Sequence, residues 1–448
     1  MQKNIESLTP IQIVNKLNKY IVGQSNAKRS VALALRNKWR KQQITTAIKN
    51  EIIPKNIILI GGTGTGKTEI ARRLAKITNS PFVKVEATKF TEVGYVGRDV
   101  ESMIRDLLFV AIKMCTDRAI EEVSEEASIA SENYILDILI SKYSKINSGN
   151  EKIYQFSRNK LKQILKSGNL DNHIISIEIT RRKTPVSSSN NNLDDVTQNF
   201  QDIIQNTFQY LNKATRKSLT IKEALKIIKH EESYKLIDLD NINTVALKYA
   251  EDNGIIFIDE IDKIIGKQAR GDAGISREGV QRDILPIVEG SIVQTRYGAI
   301  NTHNILFISA GSFYTSSTAD LIPELQGRFP IKVFLNNLCE EDFMRILVEP
   351  RNSLVKQYQA LLIKDNLNVI FKDSGIAELA KVAAYVNSEV ENIGARRLYA
   401  VMENLLEEES FNAPHDQDTI KDIIIDNVYV SQKLSHLIQN DVIHRDIL

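Results

Sequence analysis

Eight consecutive residues, Gly61-Gly62-Thr63-Gly64-Thr65-Gly66-Lys67-Thr68, carry the pattern GxxxxGK[ST], and the chemistry of that spacing is the holding of phosphate. Glycines let the backbone curl close enough for its N–H groups to face an anion, and a helix opening at the lysine adds the positive end of its dipole. Lys67 is then the residue that reaches β- and γ-phosphates, and Thr68 a magnesium ligand. A second constellation is Ile255-Ile256-Phe257-Ile258-Asp259-Glu260, an apolar run ending in two carboxylates. Alone, such a pair caps a helix as readily as it serves a reaction. Beside a phosphate loop it reads as a hydrolytic pair, with Asp259 holding magnesium through its water shell and Glu260 orienting or deprotonating the attacking water.

Both constellations need a sheet edge to stand on. Ile57-Ile58-Leu59-Ile60, directly before the glycines, is short and wholly apolar, which suits a buried parallel strand. A helical pattern opens at Lys67, and residues 82–86 form the next strand of a βαβ unit. Ile255-Ile256-Phe257-Ile258 and Ile305-Leu306-Phe307-Ile308 are two more candidate strands with helical patterns between them. The fold class is therefore α/β, a doubly wound parallel sheet whose carboxyl edge takes the ligand. Ahead of it, Thr9-Pro10 marks a helix start, with Thr9 as cap and Pro10 at the first helical position, and that helix is expected to end near Gly23. Ala27, Val31, Ala34 and Leu35 give the spacing of a second helix.

Between Thr68 and Asp259 lie 190 residues, where one or two further βα units need only about 60. The excess is read as an inserted, mainly helical domain over residues 113–244, splitting a nucleotide-binding domain into 1–112 and 245–335. Inside it, Ser187-Ser188-Ser189-Asn190-Asn191-Asn192 has nothing to bury and reads as a disordered loop. Beyond residue 336 helical patterns dominate, with Leu398, Val401, Met402, Leu405 and Leu406 on one apolar face, so residues 336–448 are expected to form a small helical domain.

Composition narrows the function classes. Lys plus Arg number 58 against 56 Asp plus Glu, a balance that argues against gripping a phosphate backbone through bulk charge. Cys115 and Cys339 lie far apart without a CxxC spacing, and the six histidines are scattered singly, which suggests neither a disulfide framework nor a zinc site. The first residues have no apolar run after their charge and no stretch is long and apolar enough to span a bilayer, so neither a signal peptide nor a membrane segment is expected and a cytoplasmic protein is. No serine or cysteine shows a nucleophile signature with a histidine partner.

Several further segments make the chain similar, over nearly its whole length, to the HslU (ClpY) group of AAA+ ATPases in the Clp/Hsp100 family. They are residues 20–24 (YIVGQ), 86–97 (EATKFTEVGYVG), 276–283 (SREGVQRD), 323–328 (PELQGR) and 392–398 (NIGARRL). The resemblance implies a hexameric ring that hydrolyses ATP to unfold proteins and feeds them to a separate HslV-like threonine peptidase, which it activates. It implies that Ile21 and Val22 flank the adenine, although Gly23 alone also fits a plain helix end, and that Glu69 joins the phosphate-loop residues in the nucleotide site. Arg328, with Glu324 nearby, resembles an arginine finger reaching a neighbouring subunit's γ-phosphate, and Arg396 a second sensor, though the sequence does not separate it from Arg397. Gly94-Tyr95-Val96-Gly97 resembles a pore segment whose aromatic ring grips an extended chain. The C-terminal Ile447 and Leu448 resemble the tail that docks on the peptidase.

The chain departs from the pattern in two places. Phe307 to Gly311 lacks the Asn that many AAA+ proteins use to orient water, leaving Ser309 or Ser312 for that role, and Asp446 stands where an apolar residue is expected. A nucleic-acid remodelling AAA+ motor is the alternative, disfavoured by the charge balance and by Tyr95 in place of a basic pore segment. A ring chaperone acting without a protease is a third reading.

Overall fold

The computed structural model describes residues 8–52, 55–92, 97–143, 151–179, 215–266, 277–390, 392–413 and 420–439. The chain forms two compact units, Met1–Ala111 with Leu247–Leu448, and Ile112–Ala246.

The first unit is organised by five strands, β1 (Ile57–Ile60), β2 (Phe82–Glu86), β5 (Ile255–Asp259), β8 (Leu306–Gly311) and β9 (Ile331–Phe334). Their order is β2-β5-β8-β1-β9 and every pairing is parallel. β1 and β8 are buried at every position, as strands covered on both faces must be, which is why their sequences read as unbroken apolar runs. Parallel pairing puts Ile60 opposite Gly311, Ile258 opposite Ser309 and Glu86 opposite Asp259. The carboxyl ends of β1, β5 and β8 therefore open on one edge. Ile57, Leu59, Ile70, Leu74, Phe257 and Ile308 fill the core under that edge, each worth roughly 1.5–3 kcal/mol of burial. β6 (Ile292–Thr295) and β7 (Gly298–Asn301) add an antiparallel pair.

The helix Pro10–Asn18 starts as its sequence dictates, with Thr9 and Gln12 closing a capping box. It ends at Asn18, not near Gly23. Burial is the reason: Ile21 and Val22 leave the helical path and sink into the core at 7% and 6% exposure. Gly23 and Gln24, both at positive φ (61° and 54°), then turn the chain into the helix Ser25–Gln43, which buries Ala27, Val31, Ala34 and Leu35.

After Cys339 a separate core of helices takes over, among them Asp373–Glu389 and Arg396–Phe411, the latter burying Leu398, Val401, Met402, Leu405 and Leu406 as their spacing predicts. This region is not purely helical. β10 (Leu367–Phe371) and β11 (Lys421–Ile425) pair in parallel; each is five residues long, too short for an alternation to stand out in sequence.

The second unit packs the helices Ser124–Tyr143 and Ile221–Leu236 on an antiparallel pair, β3 (Ile174–Ile179) and β4 (Thr215–Thr220), around Ile135, Leu139, Ile175, Ile177, Ile221 and Ile228. Thr220 and Glu223 form the capping box of the second helix. The polar run at 187–192 lies outside the described residues. Among the described residues no helix is long and apolar enough to cross a membrane.

Candidate active site

Gly61 to Gly66 connects the end of β1 to the helix Lys67–Thr78, the strand–loop–helix setting that a phosphate loop requires. Gly64 and Gly66 take φ of +71° and +98°, which a glycine adopts without strain. The Lys67 ammonium donates to the carbonyls of Gly61 at 2.5 Å and Gly62 at 2.6 Å, and burial pushes its pKa down from the ordinary value, against the pull of Asp259 and Asp262. The Thr65 hydroxyl, buried, donates to Gly62 O at 2.9 Å and braces the loop. Glu69, in the first turn of the helix, accepts from Arg73 at 2.5 Å and from Arg72. Burial raises its carboxyl pKa, but the hydrogen bonds from Arg73 and Arg72 outweigh burial and hold it below the ordinary range.

Asp259 ends β5 across from the loop, and its Oδ2 accepts the Thr68 hydroxyl at 3.4 Å and the Lys84 ammonium at 2.8 Å. Thr68 and Asp259 thus bring two hard oxygens together, a donor set that fits magnesium, which keeps most of its waters and takes few protein ligands. No group of three or more His, Cys, Asp or Glu suited to a metal occurs among the described residues. Glu260 is exposed and holds φ +56°, an uncommon region for a side chain of its size; its backbone N–H donates to Asp259 Oδ1 at 3.1 Å. Its carboxylate borders an open cleft of ≈ 1170 Å³ also lined by Asp262, Thr88, Gln281 and Pro323.

The serines proposed for the missing Asn are both otherwise placed. Ser309 lies wholly buried within β8, its hydroxyl without a hydrogen-bond partner, and Ser312 donates its hydroxyl to Asp262 at 2.7 Å. Asp262, three residues past Asp259, escaped the sequence reading because an acid after a strand end carries no motif of its own.

The turn before the helix Arg396–Phe411 closes on the phosphate loop. The Ala395 N–H donates to Gly64 O at 3.1 Å, a Cβ on Gly64 would stand 1.9 Å from the carbonyl oxygen of Ile393, and one on Gly394 would stand 2.7 Å from that of Thr63. Backbone meets backbone there, so neither position has room for a side chain. The structure also separates two neighbours the sequence could not. Arg396 is exposed and contributes to the field at Lys67, whereas Arg397 is 2% exposed and turned towards Asn387. Asn387 in turn accepts from Ile393 N at 3.2 Å and donates to Gly394 O at 3.1 Å, fixing the turn.

Arg328 sits at the end of a short helix, Pro323–Arg328. Its guanidinium pairs with Glu289 of the same chain at 2.8 Å, while Glu324 is exposed on the first turn. Ile21 and Val22 lie in the connector already described. Lys28 donates to Ile21 O at 2.7 Å and to Asn18 Oδ1 at 2.8 Å, and Gln24 exchanges two hydrogen bonds with the backbone of Asn336, at 2.8 and 3.1 Å. Gly97, the last residue of the pore-like segment, has φ +154°; Gly94, Tyr95 and Val96, like Ile447 and Leu448, lie outside the described residues.

Residues 57–123 match the family model described as ATPase family associated with various cellular activities (AAA), and residues 172–332 the one described as AAA domain (Cdc48 subfamily). Three proteins named ATP-dependent protease ATPase subunit HslU are similar to the chain over almost all of it. The one from Thermosipho africanus is 48% identical over 98% of each chain, that of Cytophaga hutchinsonii 46% over 98% of each, and that of Persephonella marina 45% over 99% of each.

Proposed function

The chain belongs to the HslU family of AAA+ ATPases, and from that premise we propose that it works as a homo-hexameric ring that unfolds proteins and threads them to an HslV-like peptidase in the cytoplasm. That it is an ATPase subunit of an ATP-dependent protease follows from the family itself, and these relatives lend no support to a nucleic-acid motor. The observation that carries the proposal is the convergence of Lys67, Asp259 and the Gly394 turn on one sheet edge.

In this reading Gly61 to Thr68 cradle the phosphates of ATP, Ile21 and Val22 flank the adenine, and Glu69 steadies the loop's helix. Thr68 and Asp259 hold magnesium, which supplies charge to the phosphate oxygens when bound. Glu260 takes the proton of the attacking water or orients it. Arg396 approaches the phosphates from the turn that leans on Gly64, so that hydrolysis alters the contact between the loop and the residues after Asn336. Arg328 leaves Glu289 to reach the γ-phosphate of a neighbouring subunit, with Glu324 beside it. The same reading divides the chain into residues 1–112 with 245–335 for nucleotide, 113–244 as an insertion and 336–448 as a lid. Gly94 to Gly97 carry Tyr95 as the substrate grip, and Ile447 and Leu448 dock on the peptidase.

The test is partner dependence. ATP turnover by the purified ring should rise with an unfolded polypeptide and not with DNA, and the ring should stimulate a cognate threonine peptidase. Deleting Asp446 to Leu448 should abolish that stimulation while leaving ATP turnover within a few-fold of normal. Stimulation by DNA instead, or full peptidase activation by the truncated ring, would overturn the corresponding assignment.

A further inference from the structure

β8 leaves the sheet through Ser312, Phe313 and Tyr314, and Phe313 has φ +54°, a region that a bulky residue enters only when its neighbours hold it there. The holder is Asp262. Its Oδ2 accepts the backbone N–H of Ser312 at 3.2 Å, that of Phe313 at 3.2 Å and the Ser312 hydroxyl at 2.7 Å. Two successive N–H groups converging on one oxygen form an anion nest, filled here by a side chain from the segment just past the catalytic carboxylates. The next residue, Tyr314, is 68% exposed, so its ring contributes little burial. Its hydroxyl nevertheless stands on the phosphate loop: a Cβ on Gly62 would lie 2.4 Å from Tyr314 Oη. Gly62 is also, with Gly61, one of the two residues whose carbonyls take the Lys67 ammonium, and that ammonium is the group that addresses the β- and γ-phosphates.

We propose that Tyr314 contacts the terminal phosphate of bound ATP and that Asp262 is the positioning residue that holds it in place. The proposal rests on reading Gly61 to Thr68 as the ATP loop. The phenolic O–H donates to an oxygen of the γ-phosphate, the group that distinguishes ATP from ADP; neither nearby serine is placed to make that contact, since Ser309 is sealed in the sheet and Ser312 is committed to Asp262. Because the Asp262 tether fixes the backbone and not the tyrosine ring, the hydroxyl stays free to follow the phosphate.

Dissociation constants for ATP and ADP, measured by competition with a fluorescent nucleotide, and kcat and KM for ATP turnover test this in Tyr314→Phe, Asp262→Ala, Asp262→Asn and the double variant Asp262→Ala/Tyr314→Phe. Tyr314→Phe should weaken ATP about tenfold, the scale of one hydrogen bond to a charged group, and leave ADP within about twofold. Asp262→Ala should weaken ATP at least as much, and the double variant no further, since a released loop leaves the hydroxyl nothing to lose. Asp262→Asn, which keeps an acceptor oxygen for the nest, should recover most of the affinity. Equal weakening of ATP and ADP by Tyr314→Phe, unchanged ATP affinity, or additive losses in the double variant would overturn the proposal. Lys67→Ala is the control: if it retains ATP affinity the loop assignment itself fails, and if it loses affinity while Tyr314→Phe does not, only the role of Tyr314 fails.

Discussion

At the carboxyl edge of the five-stranded sheet, glycines, a lysine and carboxylates meet at hydrogen-bond distance, whereas the helices beyond Cys339 are held mainly by Leu, Val and Ile packed face to face. The first region depends on individual atoms: a Cβ at Gly64 has no place to go, and Asp259 answers to Thr68 and Lys84 at once. The second depends on periodicity and volume. Arg396 and Arg397 mark the border between them, one neighbour exposed and within the electrostatic reach of Lys67, the next buried in the helical core. Substitutions on one side should therefore remove chemistry and spare the fold, and those on the other should do the reverse.

The largest expected effect lies at the edge. Glu260→Gln should bind ATP near normally while turnover falls roughly 10²-fold or more, with the melting temperature unchanged, because the residue is exposed and its carboxylate takes no hydrogen bond or ion pair among the described residues. A parallel loss of stability would erase the contrast. In the helical core, Leu405→Ala should cost about 3 kcal/mol of unfolding free energy by denaturant titration, and Arg397→Ala a comparable amount, since both side chains are buried. Nucleotide affinity should follow only within a few-fold in Leu405→Ala. Arg396→Ala should lower ATP turnover about tenfold with little change in stability; if instead Arg397→Ala impairs turnover at full stability, the two arginines have been assigned the wrong way round.

The smallest effect is a pH slope at the connector that carries Ile21 and Val22. Burial, with Arg345 nearby, pushes the Lys28 ammonium down to about 8, against about 10.4 for an unfolded lysine. Between those values the unfolded chain binds more protons than the folded one, so this group makes stability rise with pH across that window. Lys28→Met should flatten the rise; an unchanged slope between about pH 8 and 10 would assign it to other groups.

Motif and burial explain how much of this was legible in advance. The loop, the acid pair and their strands follow from apolar runs that only covered strands need and from a glycine spacing that only a phosphate requires. Membership of the HslU family was equally readable, because short segments such as residues 86–97 and 323–328 recur as units. The β10–β11 and β3–β4 pairs were missed for physical reasons: five-residue strands give no clear period, and β3 and β4 are separated by residues 180–214, far beyond a hairpin loop. The end of the first helix was misplaced because Gly23 is a turn signal and the burial of Ile21 and Val22 is not visible until a core exists. Asp262, Tyr314 and Glu289 were missed because their meaning lies in partners 39 to 252 positions away along the chain. Ser312 and Gly62 had no reason, in sequence, to share a neighbourhood.

The most direct measurement is unfolding itself: a tagged, stably folded fluorescent protein mixed with the purified ring, ATP and magnesium, followed by loss of its fluorescence. The account predicts loss with the intact chain, none with Glu260→Gln, and none with Tyr95→Ala even though that variant keeps ATP turnover within a few-fold of normal. Unfolding that persists when hydrolysis is blocked, or brisk ATP hydrolysis that never unfolds a tagged substrate, would contradict it.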